Sequence, residues 1–494
     1  MVYRFGSFTV DTTSFRLLQS ETPVALQPKP IELLLYLLSR PSTLVSKEEL
    51  FKALWPDVIV TDNALTQAVS ELRQALGDDP AKPVYIQTVA RRGYRFVAPV
   101  ETAADEAQTK SAHRPRETSS LDAFRTFSEG RVRLESLDAS EIPAAIENFK
   151  EAIALDPSYA PPYIGLANAH FWLYETSRYR SDPDVHLLTL AIEEATCAQQ
   201  LDGRLGEAHA TLSYLLAGAG RSKEARAAAE RAVALEPNYW AHYFRLGNAT
   251  WGEDRLRALK TCLDLYSEFS FAYFQIAMVH IARNALELAA QALRQGTAVQ
   301  TRHATRRERF PANGLHWMLG LIHLRRGDAA AAAAEFGSEI EFARHQLYAT
   351  EFAIAARNGW GFALLRQEDV KGAIEMFRQA LEQYPAEPRA RLGLALSFLH
   401  LDDRFEAERE LGQAREQIEA LAGAGRNTDV AILTAAEHAV RGRPADALDI
   451  LRGLMADAPP GSAGWILPIE PLFEPLKGLP GYGDLLATLA ARAT

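Results

Sequence analysis

A recurring spacing of small residues and prolines constrains this chain more than any other feature of its sequence. Three sets each place an alanine, an alanine or phenylalanine, an alanine and a proline at successive intervals of 4, 3 and 5 residues. These offsets fit a helix–turn–helix unit of about 34 residues, in which small side chains let paired helices approach and proline ends the second helix. The sets are Ala145, Phe149, Ala152 and Pro157; Ala225, Ala229, Ala232 and Pro237; and Ala373, Phe377, Ala380 and Pro385.

Bulk properties exclude several classes of protein. The 494 residues include only two cysteines, Cys197 and Cys262, which excludes a disulfide framework and a multi-cysteine metal site. The first residues lack a basic stretch followed by an apolar run, so no secretory signal is predicted. No uninterrupted apolar stretch reaches the roughly 18 residues that a membrane helix needs. We therefore expect a cytoplasmic protein that does not cross a membrane.

The first hundred residues carry a different pattern from the repeats. Short β-type segments separated by polar turns are predicted at Tyr3–Phe5, Phe8–Val10, Phe15–Leu18 and Val24–Leu26. Three helices are predicted next, from Pro28 to Ser39, from Ser46 to about Trp55, and from Thr61 or Asp62 to Leu76. A hairpin of two strands, Tyr85–Val89 and Tyr94–Ala98, then closes a domain at residues 1–100.

Composition marks the remaining boundaries. Residues 101–119 are polar with almost no large apolar groups, which predicts a flexible linker. Helical repeats are predicted over residues 120–460, and a segment that caps the end of the array over residues 461–494. The domain at 1–100 holds 11 Lys and Arg against 10 Asp and Glu, within a chain of net charge −10. The acidic excess therefore lies outside the first domain, which leaves that domain free to approach DNA.

The third predicted helix has two distinct faces. Leu65, Val69, Leu72 and Leu76 recur at helical spacing and predict a stripe that anchors in a core. On the opposite side, amide and hydroxyl groups of a size that fits base edges recur at the same spacing. A solvated surface helix is the commoner explanation of such a face taken alone. The opposite side carries Asn63, Gln67, Ser70 and Gln74, with Thr66 and Arg73 beside them.

The predicted hairpin adds a second feature. Arg91 and Arg92 stand next to each other at its narrow tip. An arginine at such a tip can enter the minor groove of DNA, where negative potential is concentrated. A solvated tip is the commoner explanation of the two arginines when they are taken alone. Helix and hairpin together, in this order and spacing, favour DNA recognition.

With these elements in place, residues 3–98 resemble the winged-helix output domain of OmpR/PhoB-type regulators, in particular the ToxR/CadC/HilA-like group without a receiver domain. The resemblance includes the helix end from Leu72 to Leu76, Gly77-Asp78-Asp79, and the strands Ile86–Val89 and Gly93–Phe96. It implies an α+β winged helix-turn-helix fold. It also implies that the third helix lies in the major groove of double-stranded DNA and that the hairpin is the wing.

The same resemblance implies roles for individual residues. Glu71 departs from the family pattern, because close relatives often carry a basic residue on this DNA-facing side. By resemblance, bases would be contacted by Asn63, Thr66, Gln67, Ser70 and Gln74, and phosphates by Lys47 and Arg73. The wing would comprise Arg91 and Arg92, and the turn facing RNA polymerase would comprise Pro56, Asp57, Val58 and Ile59.

The repeat region resembles a tetratricopeptide (TPR) array, which implies an all-α solenoid after the winged helix. In such arrays the first helix of each unit lines a groove. The repeat period places five apolar side chains toward that groove, where an apolar peptide or ligand could bind. Packing between repeats is the alternative, and the commoner one. The five side chains are Phe244, Trp251, Phe271, Phe274 and Met278.

Two functions remain open at this point. The first is a DNA-binding transcription regulator that works as a homo-oligomer, with the repeat array receiving a protein or ligand signal. The second is a TPR interaction scaffold whose winged helix contacts protein instead of DNA. The chain has no Gly-Lys dipeptide and no histidine followed by glutamate, so it lacks the usual P-loop and the zinc-protease helix motif. We therefore expect no enzymatic activity, no cofactor and no metal site.

Overall fold

The computed structural model describes residues 2–11, 16–19, 22–24, 26, 28–54, 62–80, 82–89, 92–102, 118, 120–135, 138–177, 184–303, 312–342, 349–423 and 426–494. The chain divides into two compact units, residues 1–113 and 114–494. Within the described ranges no helix is both long enough and apolar enough to span a bilayer.

The described residues of the first unit form eight short strands. They are β1 (Val2–Phe5), β2 (Phe8–Asp11), β3 (Arg16–Gln19), β4 (Thr22–Val24), β5 (Val45–Ser46), β6 (Ile86–Val89), β7 (Gly93–Phe96) and β8 (Glu101–Thr102). One antiparallel sheet has the order β4-β3-β2-β1-β8, and a smaller one has the order β5-β7-β6. Because side chains alternate along a strand, Tyr3, Phe5, Phe8 and Val10 share one face, and all four are buried.

Two strands differ from the predicted pattern. β4 lies two residues earlier than predicted; it contains Pro23, which an edge strand tolerates because it lacks a backbone N–H to pair. β8 consists of Glu101 and Thr102, which polar composition assigned to the linker, and it pairs with Arg4 and Tyr3 of β1. Polar side chains do not prevent this pairing, because the hydrogen bonds are made by the backbone. The folded part of the domain therefore extends to residue 102.

The described part of the first unit also contains three helices: α1 (Pro28–Leu38), α2 (Lys47–Leu54) and α3 (Asp62–Leu76). Leu33, Leu34 and Leu37 of α1 are fully buried in the domain core. The Ser46 hydroxyl accepts a hydrogen bond from the Glu49 backbone N–H at 3.1 Å, which caps the start of α2. The helices have the predicted order, and α3 has the predicted bounds.

Within its described residues, the second unit contains nine consecutive helix pairs. The pairs are α4 (Leu121–Glu135) with α5 (Ile142–Leu155), α6 (Pro161–Ser177) with α7 (Val185–Leu201), α8 (Gly206–Gly218) with α9 (Ser222–Leu235), α10 (Trp240–Ala249) with α11 (Gly252–Leu265), α12 (Ser270–Ala282) with α13 (Leu286–His303), α14 (Leu315–Arg325) with α15 (Ala329–Phe342), α16 (Ala349–Arg366) with α17 (Val370–Gln383), α18 (Pro388–His400) with α19 (Arg404–Gly423), and α20 (Asn427–Val440) with α21 (Pro444–Asp457). First helices of neighbouring pairs contact each other, as α6 does with α8 and α16 with α18. We call the side that they form the inner face.

The repeated residues of the sequence lie where the helices come closest. Phe377, Ala373 and Ala380 of α17 are fully buried. A Cβ atom added at Gly361 of α16 would lie 2.6 Å from the Phe377 ring, and one at Gly393 of α18 would lie closer still. The large ring on the second helix therefore fills the space left by glycines on the two helices that flank it, which explains why the repeat keeps small residues at these positions.

The predicted capping segment, residues 461–494, contacts both helices of the last pair, α20 and α21, and also extends far beyond that pair. Its short 3-10 turns at Leu467–Ile469 and Pro471–Leu476 and its helix α22 (Tyr482–Ala491) contact first helices from α20 back to α12. The segment thus crosses the inner face of five pairs. Three first-helix arginines hold it: Arg389 Nε donates to Glu470 Oε2 at 3.4 Å, Arg366 Nη2 to Glu474 Oε2 at 2.5 Å, and Arg325 Nε to the Pro468 carbonyl at 3.0 Å. Arg283, just after α12, donates from Nε to the Ala493 carbonyl at 2.9 Å.

Hydrophobic burial explains this path. The five large apolar side chains of the 3-10 turns that face the array are at most 3% exposed. At about 1.5–3 kcal/mol for each buried side chain, they contribute on the order of 7–15 kcal/mol. A short cap over the last helix pair would leave several of them in water, so the segment belongs to the core of the array. The five side chains are Leu467, Ile469, Leu472, Phe473 and Leu476.

Candidate nucleic-acid interface

Helix α3 presents its polar residues to solvent because its apolar stripe is anchored. Leu65, Val69, Leu72 and Leu76 are at most 4% exposed and lie in the domain core. On the other side of the helix, the side chains of Thr66, Gln67, Ser70 and Gln74 are exposed. We call these four residues the polar face. The fifth predicted base-contacting residue, Asn63, lies on α3, but its side chain falls outside the described part of the structure.

Glu71 interacts directly with the polar face. Gln67 Nε2 donates a hydrogen bond to Glu71 Oε1 at 3.1 Å, one helical turn away. The Gln67 amide has a second N–H and a carbonyl oxygen, so it retains one donor and one acceptor for a base edge. The carboxylate therefore orients Gln67 while placing a negative charge next to it.

Arg73 does not lie free at the surface, where a phosphate contact was predicted. Its Nη2 donates to the Ile86 carbonyl at 2.7 Å and to Thr88 Oγ1 at 2.8 Å, both on β6. Its Nε lies 3.9 Å from Asp78 Oδ2, and its side chain is only 13% exposed. The guanidinium therefore fixes α3 to the hairpin, which favours a positioning role for Arg73 over the predicted phosphate contact.

Asp78 is the structural residue that sequence reasoning missed. The side chain is fully buried, and its carboxylate accepts backbone hydrogen bonds from Val84 at 2.6 Å, Tyr85 at 3.0 Å and Ile86 at 2.9 Å. Asp78 follows Gly77, whose φ of +63° ends α3 in a left-handed turn. A carboxylate placed directly after such a turn, ahead of a strand, was the available signal.

The hairpin meets the start of α2 through a glycine. Gly93 of β7 pairs with Ser46, and an added Cβ atom would collide with the Val45 carbonyl. The Lys47 backbone N–H donates to the Arg92 carbonyl at 3.2 Å, so the predicted phosphate-contacting and wing residues are neighbours. Arg92 is exposed and Lys47 is half-buried. Two basic residues are therefore neighbours at the base of the hairpin tip.

Other predicted residues fall outside the described ranges. They are Arg91 of the wing and Pro56, Asp57, Val58 and Ile59 of the turn expected to face RNA polymerase.

The residues predicted to line the array groove lie mainly between helices. Phe244 of α10 lies 4.8 Å from Phe269, measured between ring centroids, and Phe274 of α12 lies 5.8 Å from Phe352. Trp251 lies just before α11 and not on a first helix, and the Arg255 guanidinium is 4.7 Å from its ring centre. Phe271 and Met278 pack against the main core of the array. These placements favour packing between repeats, and α12 belongs to the part of the inner face that the C-terminal segment covers.

Fold and site together define a winged-helix domain joined to a helical repeat array. Residues 21–96 match the family described as "Transcriptional regulatory protein, C terminal", and residues 364–419 match the tetratricopeptide repeat family. The first unit is therefore an OmpR/PhoB-type DNA-binding domain, and the second contains TPR repeats. The resemblances stated from the sequence are confirmed.

Particular relatives match the first unit and little more. The transcriptional activator CadC of Escherichia coli K12 is 35% identical over 106 residues, which are 21% of this chain and 21% of CadC. The cholera toxin transcriptional activator of Vibrio cholerae is 33% identical over 124 residues, 24% of this chain and 42% of that protein. A solved structure of the DNA-binding domain of E. coli CadC has 35% identity and a TM-score of 0.19, and the match covers 20% of this chain and 94% of that one. The chain thus spans less than half the length of these two full-length relatives.

Proposed function

We propose that this protein is a transcription regulator that binds double-stranded DNA, with α3 in the major groove and the hairpin as a minor-groove wing. One observation carries the proposal: the polar face of α3 is exposed while Arg73 fastens the same helix to β6. The helix α3 and the hairpin, which would contact successive grooves, are thereby held together. The first unit can meet DNA without ordering either element at the moment of binding.

Individual roles follow from this placement. Gln67, with its remaining donor and acceptor, would pair with a base edge, and good pairs of this kind discriminate by about 1–3 kcal/mol. Lys47 would contact phosphate, and Arg92 would contact the minor groove as part of the wing. Asn63 would contact a base and Arg91 would join the wing, as the family resemblance implies. The turn at residues 56–59 would face RNA polymerase, and binding to paired half-sites would use a homo-oligomer.

A specific observation favours a second candidate function. Glu71 places a carboxylate beside Gln67, and the domain at 1–100 carries nearly equal numbers of basic and acidic residues. Both features weaken attraction to phosphate. An interaction scaffold whose winged helix contacts protein would tolerate them, so an experiment has to separate the two functions.

Gel-shift titration of the full chain over a series of salt concentrations separates them. Fragments for the titration are first selected from random DNA. A DNA reader loses affinity linearly in log–log form, with a slope of about −0.9 for each phosphate neutralised. Arg92→Ala should weaken all sequences alike and make the slope shallower by about one contact. Gln67→Ala should instead relax preference at particular base pairs. Absence of any selected sequence, or a shift that salt does not affect, supports the scaffold.

The array would convey a protein signal to the regulator. TPR repeats are present in the second unit, and its inner face is the natural place for a partner. The C-terminal segment already covers that face from α12 to α20, which limits where such a partner can bind.

A further inference from the structure

Helix α4, the first of the array, has an apolar outer face. Its main contacts are with α5 and α6, and the side of the helix that makes them is buried. The opposite side carries Leu121, Phe124 and Val132, whose exposed fractions are 80%, 46% and 68%. Ser128 lies between them at helical spacing, and its hydroxyl donates to the Phe124 carbonyl at 2.8 Å, so it is satisfied within the helix. We call these four residues the terminal stripe.

An apolar stripe is unexpected at the end of a repeat array. The outer face of a terminal repeat is normally polar, because no further repeat covers it. At the other end of this array, residues 461–494 pack against the last helix pair. The chain just before α4 offers no such cover, since residues 103–119 contain no Leu, Ile, Val, Met, Phe, Tyr or Trp. The apolar surface that the terminal stripe requires therefore has to come from elsewhere.

The charges beside the terminal stripe match a second copy of the same helix. Arg125 and Glu129 are both exposed and lie one helical turn apart on one flank of the stripe. When two α4 helices pack antiparallel about a twofold axis, Arg125 of each copy lies beside Glu129 of the other. A parallel arrangement would set like charges against each other. Arg125 Nη2 lies 3.1 Å from Asp122 Oδ1, but both side chains are about two-thirds exposed, so exchanging this partner costs little.

The register that pairs these charges also fits the terminal stripe. With Leu121 directly opposite Val132 of the second copy, Arg125 lies within one residue of Glu129 of that copy. One residue corresponds to about 1.5 Å along a helix, which long side chains can span. In the same register the ring of Phe124 lies over the small side chain of Ser128. Apolar and charged positions therefore agree on one antiparallel arrangement.

We propose that two copies of this chain dimerise by antiparallel packing of their α4 helices, with Leu121 on Val132 and Arg125 paired with Glu129 across a twofold axis. The proposal rests on the proposed function insofar as paired half-sites require two copies, but the interface itself forms without DNA. The terminal stripe is only about 16 Å long, so the free chains associate weakly. Binding of both copies to neighbouring half-sites raises their effective concentration and strengthens the dimer.

Charge reversal combined with mixing tests the proposal. Sedimentation of the full chain without DNA, over a series of concentrations, gives the dimer dissociation constant. Arg125→Glu and Glu129→Arg should each raise this constant at least about tenfold, because each places like charges together twice across the axis. An equimolar mixture of the two variants should dimerise like the wild type, since opposite charges face each other again. The matched control is Arg404→Glu on α19, which reverses a charge that is 86% exposed and should change nothing.

Disulfide trapping tests the register independently. Oxidation of a mixture of Leu121→Cys and Val132→Cys chains should link one copy of each. Neither variant should form linked dimers alone, because two copies of the same position lie about 16 Å apart in this register, well beyond the roughly 7 Å that a disulfide spans between Cα atoms. The wild type reports any background linkage through Cys197, which is half-buried.

Several outcomes would overturn the proposal. They are a wild type that stays monomeric at every concentration, charge-reversed variants that dimerise like the wild type, and a mixture that stays monomeric although both variants unfold at the wild-type temperature. Linked dimers of Leu121→Cys alone, above the wild-type background, would also contradict the antiparallel register. Gel shifts on the same samples report DNA binding separately. A dimer that shifts no DNA refutes the proposed function and leaves the interface standing, whereas a monomer that shifts selected DNA refutes the interface alone.

Discussion

Replacing Arg73 separates a positioning role from a phosphate contact. Its Nη2 makes two hydrogen bonds to β6 from a side chain that is 13% exposed. Hydrogen bonds that involve a charged group contribute about 1.5–3 kcal/mol each, and two bonds that share one nitrogen are not fully additive. We expect Arg73→Ala to loosen α3 from the hairpin by about 2–4 kcal/mol. If restoring the contact between α3 and the hairpin during DNA binding costs half of that free energy, DNA affinity falls roughly 5- to 30-fold.

Arg73→Lys gives the contrast. Lysine keeps the positive charge, but it cannot reproduce the planar guanidinium that donates to a carbonyl and a hydroxyl together. A positioning role predicts that Arg73→Lys loses nearly as much affinity as Arg73→Ala. It also predicts that neither variant changes the slope of log affinity against log salt. Gel-shift titration over salt measures both quantities, and Arg92→Ala, which should reduce the slope by about 0.9, shows that the assay detects the loss of one phosphate contact.

The reasoning is refuted if Arg73→Lys binds like the wild type while Arg73→Ala makes the slope shallower by about one contact. That pair of results would mean that the guanidinium leaves β6 and meets phosphate in the complex.

Three further predictions concern stability and reactivity. Asp78→Ala leaves three backbone N–H groups without their acceptor and should destabilise the first unit by about 3–5 kcal/mol. Hydrogen exchange should become fast at residues 84–86, and unchanged protection there would contradict the argument. Gly393→Ala forces a methyl group against Phe377 and should destabilise the array by about 1–3 kcal/mol in thermal unfolding. The control Gly412→Ala places its methyl group in open space and should be neutral or stabilising. Equal effects of the two substitutions would disprove the packing explanation. Cys262 is fully buried and its pKa is raised to about 12, so at pH 8 a thiol reagent should modify it only after denaturant is added, and rapid labelling in the native protein would be the contrary result.

Local patterns predicted local structure well. The bounds of α3 follow from a strong helical period that ends at Gly77, and both are properties of neighbouring residues. Exposure of Gln67 and Ser70 follows from the same period, because burial of one stripe of a helix leaves the opposite side in solvent. The hairpin strands were also located to within a residue or two.

Contacts between distant residues were not predictable in this way. The Arg73 side chain is long enough to reach either a phosphate or the Ile86 carbonyl, and only the packing of α3 against β6 decides between them. β8 pairs with β1 although the two strands lie about a hundred residues apart and β8 has no apolar pattern. The path of the C-terminal segment depends on which array surface remains apolar after the helices have paired, and this is a property of the assembled fold.

The path of the C-terminal segment also determines how the second unit can come apart. A repeat array whose units touch only their neighbours can fray one unit at a time. Here the bond from Arg283 to the Ala493 carbonyl joins positions 210 residues apart, so helix pairs from α12 to α21 are tied into one cooperative block. Residues 461–494 leave the ribosome after every helix they contact. Pairs before α12 can therefore complete their fold during translation, whereas the pairs from α12 to α21 complete theirs only after residues 461–494 have been synthesised.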